Sequence, residues 1–132
     1  MNVYKLLAFI LLVIPIYSSA KDITAEDAQS LIMQGGYTVI DVRTPKEFAA
    51  GHIEGAYNID ISNSQSNSSN DKLDFLSQIQ KLDKSKKYII YCRSGKRSKK
   101  AENIMYQQGF KDVYNVTGGL LEWENKSLPL VK

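Results

Sequence analysis

Hydrophobic and polar positions divide this chain into one long apolar run at its start and a series of short apolar bursts after it. Residues 6–17 are apolar throughout apart from Pro15. Beyond residue 20 the bursts alternate between helical and strand spacing. Thr24-Ala25-Glu26-Asp27 is a capping-box pattern, and Ala28, Leu31 and Ile32 share one face before Gly35-Gly36 ends the predicted helix. Tyr37-Thr38-Val39-Ile40 predicts a short buried strand ending at Asp41. Thr44, Pro45 and Glu47 stand as N-cap, N1 and N3 of a brief second helix that Gly51 stops. Residues 56–59 predict a small strand, and the polar stretch 62–70 (SNSQSNSSN) a mobile surface loop. Leu73, Leu76, Ile79 and Leu82 recur every three residues and predict a third helix. Tyr88-Ile89-Ile90-Tyr91 is the most strand-like run, with Cys92 at its end. A helix with Ala101, Ile104 and Met105 inward follows, then a strand over 113–116, a Gly118-Gly119 turn and a closing helix around Trp123.

Strands alternating with helices through short connections imply an α/β fold, a parallel sheet covered on both faces. Ligands in such sheets bind outside the carboxyl ends of the strands, where Cys92 and Asp41 both fall. Neither an internal repeat nor a second domain is visible.

The opening run reads as an address rather than as part of that fold. One positive charge lies within residues 1–5, the apolar stretch follows, and Ser18-Ser19-Ala20 places small residues before Lys21. That order is the pattern of a secretory signal peptide. The competing reading is a retained anchor, but twelve apolar residues fall short of the roughly 20 that span a bilayer. Residues 1–20 are therefore expected to be a cleaved signal peptide and 21–132 a periplasmic or secreted domain, off the membrane once cleaved. A monomer is expected.

Composition narrows the chemistry. Seventeen Lys and Arg against fourteen Asp and Glu announce no nucleic-acid partner, and 43% hydrophobic residues exclude a disordered chain. One Cys excludes an internal disulfide, and one Cys with one His leaves too few soft ligands for a Cys/His metal site. In an exported protein a lone Cys is either an inert core residue or a thiol kept for its reactivity.

The neighbours of Cys92 decide between these. Cys92-Arg93-Ser94-Gly95-Lys96-Arg97-Ser98 connects a buried strand to a helix. A loop curling there turns successive backbone N–H groups inward as an anion nest above a helix N-terminus, with Gly95 supplying the backbone freedom. Arg93, Lys96 and Arg97 add positive charge. All three effects favour thiolate, so Cys92 is expected to be a nucleophile and the loop an anion site. Eight Lys or Arg and no acid fall between residues 84 and 100, which makes the approach electropositive. The lysines outside the loop are expected to be solvated surface, since no aromatics interleave with them as a nucleic-acid site would need. Asp41 and Arg43, where a strand meets a helix, are expected to support the site through an ion pair or hydrogen bonds that order neighbouring loops. His52, the only His, is left without a catalytic role because an already ionised thiol needs no general base, and Trp123 and the strand tyrosines are read as core.

These residues carry a family resemblance. Asp41-Val42-Arg43-Thr44-Pro45-Lys46-Glu47-Phe48, Gly51-His52-Ile53-Glu54-Gly55-Ala56, Tyr91 through Ser98, and Gly118-Gly119 with Trp123 resemble, in order and spacing, the single-domain rhodaneses. The likeness extends over residues 21–129. One departure is Glu54, where the family often has Pro after the His-Ile pair. The resemblance implies a rhodanese domain, sulfane-sulfur transfer, and a catalytic cysteine at Cys92. It is similar in particular to periplasmic thiosulfate sulfurtransferases. The implied partners are a small anionic sulfur donor and a thiophilic acceptor such as cyanide or a thiol, and the implied chemistry needs neither metal nor organic cofactor. Two rivals follow from the same residues. A non-turnover persulfide carrier or binding module would keep the same thiolate and cradle. A phosphatase or arsenate reductase would use a Cys-x5-Arg loop, but that Arg position is Ser98 here, with Arg97 one residue early.

Overall fold

The computed structural model describes residues 21–62 and 69–132, with side chains in the second stretch from Asp74 onward. Five strands, β1 (Lys21–Ile23), β2 (Tyr37–Asp41), β3 (Tyr57–Asn58), β4 (Lys87–Tyr91) and β5 (Asp112–Val116), form one sheet in the order β1-β5-β4-β2-β3. Every pairing is parallel. The helices are α1 (Ala25–Gln34), α2 (Pro45–Ala50), α3 (Ser69–Ile79), α4 (Lys96–Gln107) and α5 (Gly119–Asn125).

Strand periodicity sorts the core into two layers. Along β4 and the residue after it, Tyr88, Ile90 and Cys92 face α3 and α4, packing with Phe75, Ile79, Ala101 and Met105. Ile89 and Tyr91 point the other way, into a cluster with Ala25, Ala28, Leu120 and Trp123 of α1 and α5. A strand buried on both faces therefore reads as one continuous apolar run. Helix α2 buries none of its residues and follows the carboxyl end of β2.

Local chemistry starts the helices where the sequence places them. The Thr24 side chain accepts the Asp27 N–H at 3.1 Å. Thr44 and Glu47 form a full reciprocal capping box with Pro45 in the first turn. Three details differ from expectation. A first strand, β1, lies at the sheet edge against β5, built from Lys21 and Asp22, whose polarity hides it. Of the expected loop over 62–70, residues 63–68 lie outside the described residues, while Ser69 and Asn70 already belong to α3; small polar residues are good helix starters as well as loop formers. Leu82 lies past the end of α3, in a turn where its N–H reaches Ile79 O at 3.0 Å, yet it still packs on the core.

The topology points to one place. From β2 the chain turns outward to β3, and from β4 it turns the opposite way to β5. The crevice between β2 and β4 is therefore the switch point of the sheet, and Asp41 pairs with Tyr91 at its carboxyl edge. Among the described residues no helix is long and apolar enough to cross a membrane.

Candidate functional site: the Cys92 loop

Cys92 leaves the central strand at that crevice and is almost wholly buried, 1% exposed. The chain then curls through Arg93, Ser94 and Gly95 into α4. The Gly95 N–H points at the sulfur from 3.1 Å, and the Ser98 N–H and hydroxyl from 3.4 Å each. Gly95 holds a left-handed φ of 98°, and a Cβ there would overlap the Thr117 carbonyl oxygen. The tight curl and its packing against the end of β5 thus require glycine.

Burial is the largest single influence on the Cys92 thiol and pushes its pKa up. The Ser98 hydroxyl and the N–H groups of Ser98, Gly95 and Ser94 together outweigh it, so the net displacement is downward. The sulfur also sits at the N-terminus of the twelve-residue α4, where the helix dipole favours negative charge.

The loop's cations are placed differently from what the sequence implies. Arg93 and Lys96 are exposed at the rim and make no ion pair among the described residues. Arg97 instead makes a bidentate pair with Glu47 of α2, at 2.8 and 3.0 Å. The thiolate is thus held chiefly by hydrogen-bond donors, and part of the loop's positive charge is already neutralised. Ser94 is exposed at the crest of the curl, and Ser98 is fully buried beneath it.

Asp41 and Arg43 are both buried and form the expected pair. Asp41 Oδ1 accepts the Arg43 N–H at 2.9 Å and Nε at 3.0 Å, and Oδ2 accepts Nη2 at 2.7 Å. The guanidinium reaches on to the Gly51 carbonyl at 2.7 Å. Burial would lower the Arg43 pKa, but the Asp41 carboxylate overrides it and holds the guanidinium charged. The pair thereby fastens both ends of α2 to the sheet edge. His52 stays structural: its ring stacks on Phe48 at 3.7 Å and its Nδ1 lies 2.8 Å from the Phe48 carbonyl. Tyr91 is more than core, since its hydroxyl accepts the Ile53 N–H at 3.0 Å; burial holds its phenol well above the ordinary range.

Three contributors escape the sequence reading. Glu47 looks like a capping residue only, yet it also fixes Arg97; the hydrogen bond from that guanidinium, with lesser help from Thr44, lowers its carboxyl to about 2. The Leu120 N–H holds the Cys92 carbonyl at 2.9 Å and the Leu121 N–H holds that of Arg93 at 3.1 Å, so the start of α5 clamps the loop from behind. Gly119 makes that approach possible: its φ is 56°, and a Cβ would fall 2.5 to 2.7 Å from the carbonyl oxygens of Arg93 and Cys92. In the sequence the Gly118-Gly119 pair is the signal of this clamp, and by itself it indicates only a turn.

A cleft of about 210 Å³ adjoins the loop at Arg93, with Leu120 and Leu121 of α5 and Ala50 of α2 in its lining. That volume suits a small ligand rather than a drug-sized one. A larger hollow beside Gly36 and Lys87 lies at the amino ends of β2 and β4, roughly 15 Å away along a five-residue strand, and another runs along β2 and β3 beside Thr38, Ile40 and Ile59; neither is lined by a residue of the Cys92 loop. Among the described residues no three His, Cys, Asp or Glu side chains gather as a metal site.

Comparison with known proteins agrees with this geometry. Residues 24–126 match the family described as rhodanese-like domain. Thiosulfate sulfurtransferase GlpE of Pseudomonas putida is 36% identical over 106 residues, covering 80% of this chain and 86% of that protein. A tRNA uridine(34) hydroxylase of Hamiltonella defensa is 31% identical over 110 residues, but these span 30% of its length, so the domain also serves in larger proteins with other activities. A crystal structure of a rhodanese-related protein from Thermoplasma volcanium superposes with a TM-score of 0.66 at 32% identity, over 84% of this chain and 97% of that one. A parallel sheet with its cysteine loop at the switch point, matched over most of its length by these relatives, places the chain in the rhodanese family.

Proposed function

We propose that this protein is a sulfurtransferase that carries sulfane sulfur on Cys92. The observation that carries the reading is the cradle itself: one buried sulfur with N–H donors from Gly95 and Ser98 and the Ser98 hydroxyl aimed at it. The thiolate attacks the outer sulfur of thiosulfate. A new S–S bond forms, the bond to the sulfonate sulfur breaks, and sulfite leaves with that electron pair. Cys92 is left as a persulfide. A thiophilic acceptor, cyanide or a thiolate, then takes the outer sulfur, and the Sγ–S electron pair returns to Cys92. The donors that hold the resting thiolate serve equally to hold the anionic persulfide sulfur, which keeps the charged intermediate stabilised in a dry site. The names of the matched thiosulfate sulfurtransferases support this donor.

Arg97 also favours sulfur transfer over oxyanion hydrolysis. It is committed to Glu47 and lies one residue short of the phosphatase spacing, so the loop offers no free arginine at the position that would grip a tetrahedral oxyanion. The same proposal places the protein outside the cytosol after removal of residues 1–20, as a monomer without nucleic-acid partner.

Thiocyanate release from thiosulfate and cyanide tests the reading. The wild-type protein should turn over and Cys92→Ser should not. A stable sulfur adduct on Cys92 without turnover would replace enzyme by carrier, and no adduct at all would refute sulfur transfer.

A further inference from the structure

The cleft at Arg93, the residue after Cys92, carries four charged side chains, of which two are spoken for. Arg43 is bound to Asp41 and to the Gly51 carbonyl, and Glu47 to Arg97. The other two, Arg93 and Glu124, have opposite signs, are exposed, and make no hydrogen bond or ion pair through their side chains among the described residues. Their relative placement is fixed by backbone. Leu121 N–H holds the Arg93 carbonyl at 3.1 Å, and Glu124 lies three residues further along α5, on the same face as Leu121. The uncharged lining of the cleft is apolar, from Ala50, Leu120 and Leu121.

A small cleft with one unpaired cation, one unpaired anion and an aliphatic surface complements a zwitterion with a short hydrocarbon body. We propose that the acceptor leg of the reaction uses such thiols: Arg93 binds the carboxylate of an amino-acid-like thiol and Glu124 its ammonium, so that these two residues set acceptor specificity. The proposal rests on the sulfurtransferase reading above. The transfer balances without an added oxidant. The acceptor thiolate forms a bond to the outer persulfide sulfur, the Sγ–S bond breaks, Cys92 recovers a thiolate, and the acceptor departs as its own persulfide. Thiosulfate and cyanide carry no ammonium for Glu124 to bind.

The test uses protein loaded with thiosulfate and follows persulfide discharge by intact mass. The acceptors are cysteine, cysteamine (ammonium only), 3-mercaptopropionate (carboxylate only) and cyanide, each compared with itself across variants. Glu124→Gln should slow cysteine and cysteamine by about two- to fivefold relative to cyanide and 3-mercaptopropionate, the range of a solvent-screened ion pair. Glu124→Lys should reverse the order, slowing cysteamine and speeding 3-mercaptopropionate. Arg93→Gln should slow cysteine and 3-mercaptopropionate relative to cysteamine. Equal effects of each substitution on all four acceptors, or no effect on any, in variants that still take up sulfur from thiosulfate, would overturn the acceptor assignment and leave the sulfurtransferase reading standing. Failure of the wild type to take up sulfur would overturn both.

Discussion

Replacing Ser98 by alanine isolates the one side-chain donor to the Cys92 sulfur among the described residues. The Ser98 hydroxyl has a single proton and two acceptors in reach, the sulfur at 3.4 Å and the Gly95 carbonyl at 3.2 Å. With a neutral thiol the proton goes to the carbonyl, and with a thiolate it turns to the sulfur. Ser98→Ala therefore withdraws stabilisation chiefly from the charged form, leaving the Gly95 and Ser98 N–H donors in place. A hydrogen bond to a charged group contributes about 1.5–3 kcal/mol, and the length of this one puts it at about 1.5. That is about tenfold less thiolate at any pH below the titration midpoint. A more basic thiolate is also more nucleophilic, with a Brønsted coefficient of about 0.4–0.5, which recovers about threefold. The net expectation is alkylation by iodoacetamide about threefold slower than wild type at pH values below both midpoints. At alkaline pH, where both thiols are ionised, the variant should be about threefold faster. The two rate profiles must therefore cross, with the variant's midpoint at higher pH. Profiles that superimpose, in a variant whose urea midpoint shows it folded, would refute the assignment of Ser98 as a donor to the thiolate.

The remaining predictions concern the frame around that sulfur. Gly119→Ala should cost about 2–4 kcal/mol in urea unfolding, from a left-handed φ and overlap with the Cys92–Arg93 backbone, and thiocyanate production should fall with it. Asp41→Ala should cost about 3–5 kcal/mol because Arg43 is left charged and buried, whereas Asp41→Ala with Arg43→Leu should recover part of that loss; additive losses in the double-mutant cycle would contradict the pairing. Glu47 contributes through a carboxyl held at about 2 against an ordinary 4.5. Its folded pKa is depressed, so its contribution is full above about pH 4.5 and is lost as pH falls toward 2. Glu47→Gln should accordingly be less stable than wild type by about 1–2 kcal/mol near neutrality, after discounting for partial exposure, and the gap should close on acidification.

What the sequence reveals and what it hides follow from the range of the interactions. Residues 88–91 announce the central strand because every residue is apolar and both faces are covered. The cradle is legible because its parts are consecutive: the strand end, the sulfur, Gly95 and the Ser98 donor lie within eight residues, 91–98. The Asp41–Arg43 pair is legible for the same reason, with partners two residues apart. Glu47 is hidden, since the partner that gives it a second role lies fifty residues away and its capping pattern already explains it locally. That contact is also why the loop's three cations cannot be summed as a charge: one of them is neutralised by a residue no local spacing points to. The α5 clamp is hidden in another way, because backbone N–H groups of Leu120 and Leu121 leave no side-chain signature. Only the need for glycine at 119 betrays it. Strand β1 is set by pairing with β5, across some ninety residues of chain, and its three residues are too few for a period to register.

The central claim is that Cys92 accepts and passes on a sulfur atom. Intact mass of the protein, purified after expression of the full chain, before and after exposure to thiosulfate tests it most directly. The account predicts a gain of one sulfur atom on the wild type, none on Cys92→Ser, and discharge of the added mass as thiocyanate when cyanide is supplied. An unchanged wild-type mass under conditions where Cys92 is free and alkylatable would contradict it.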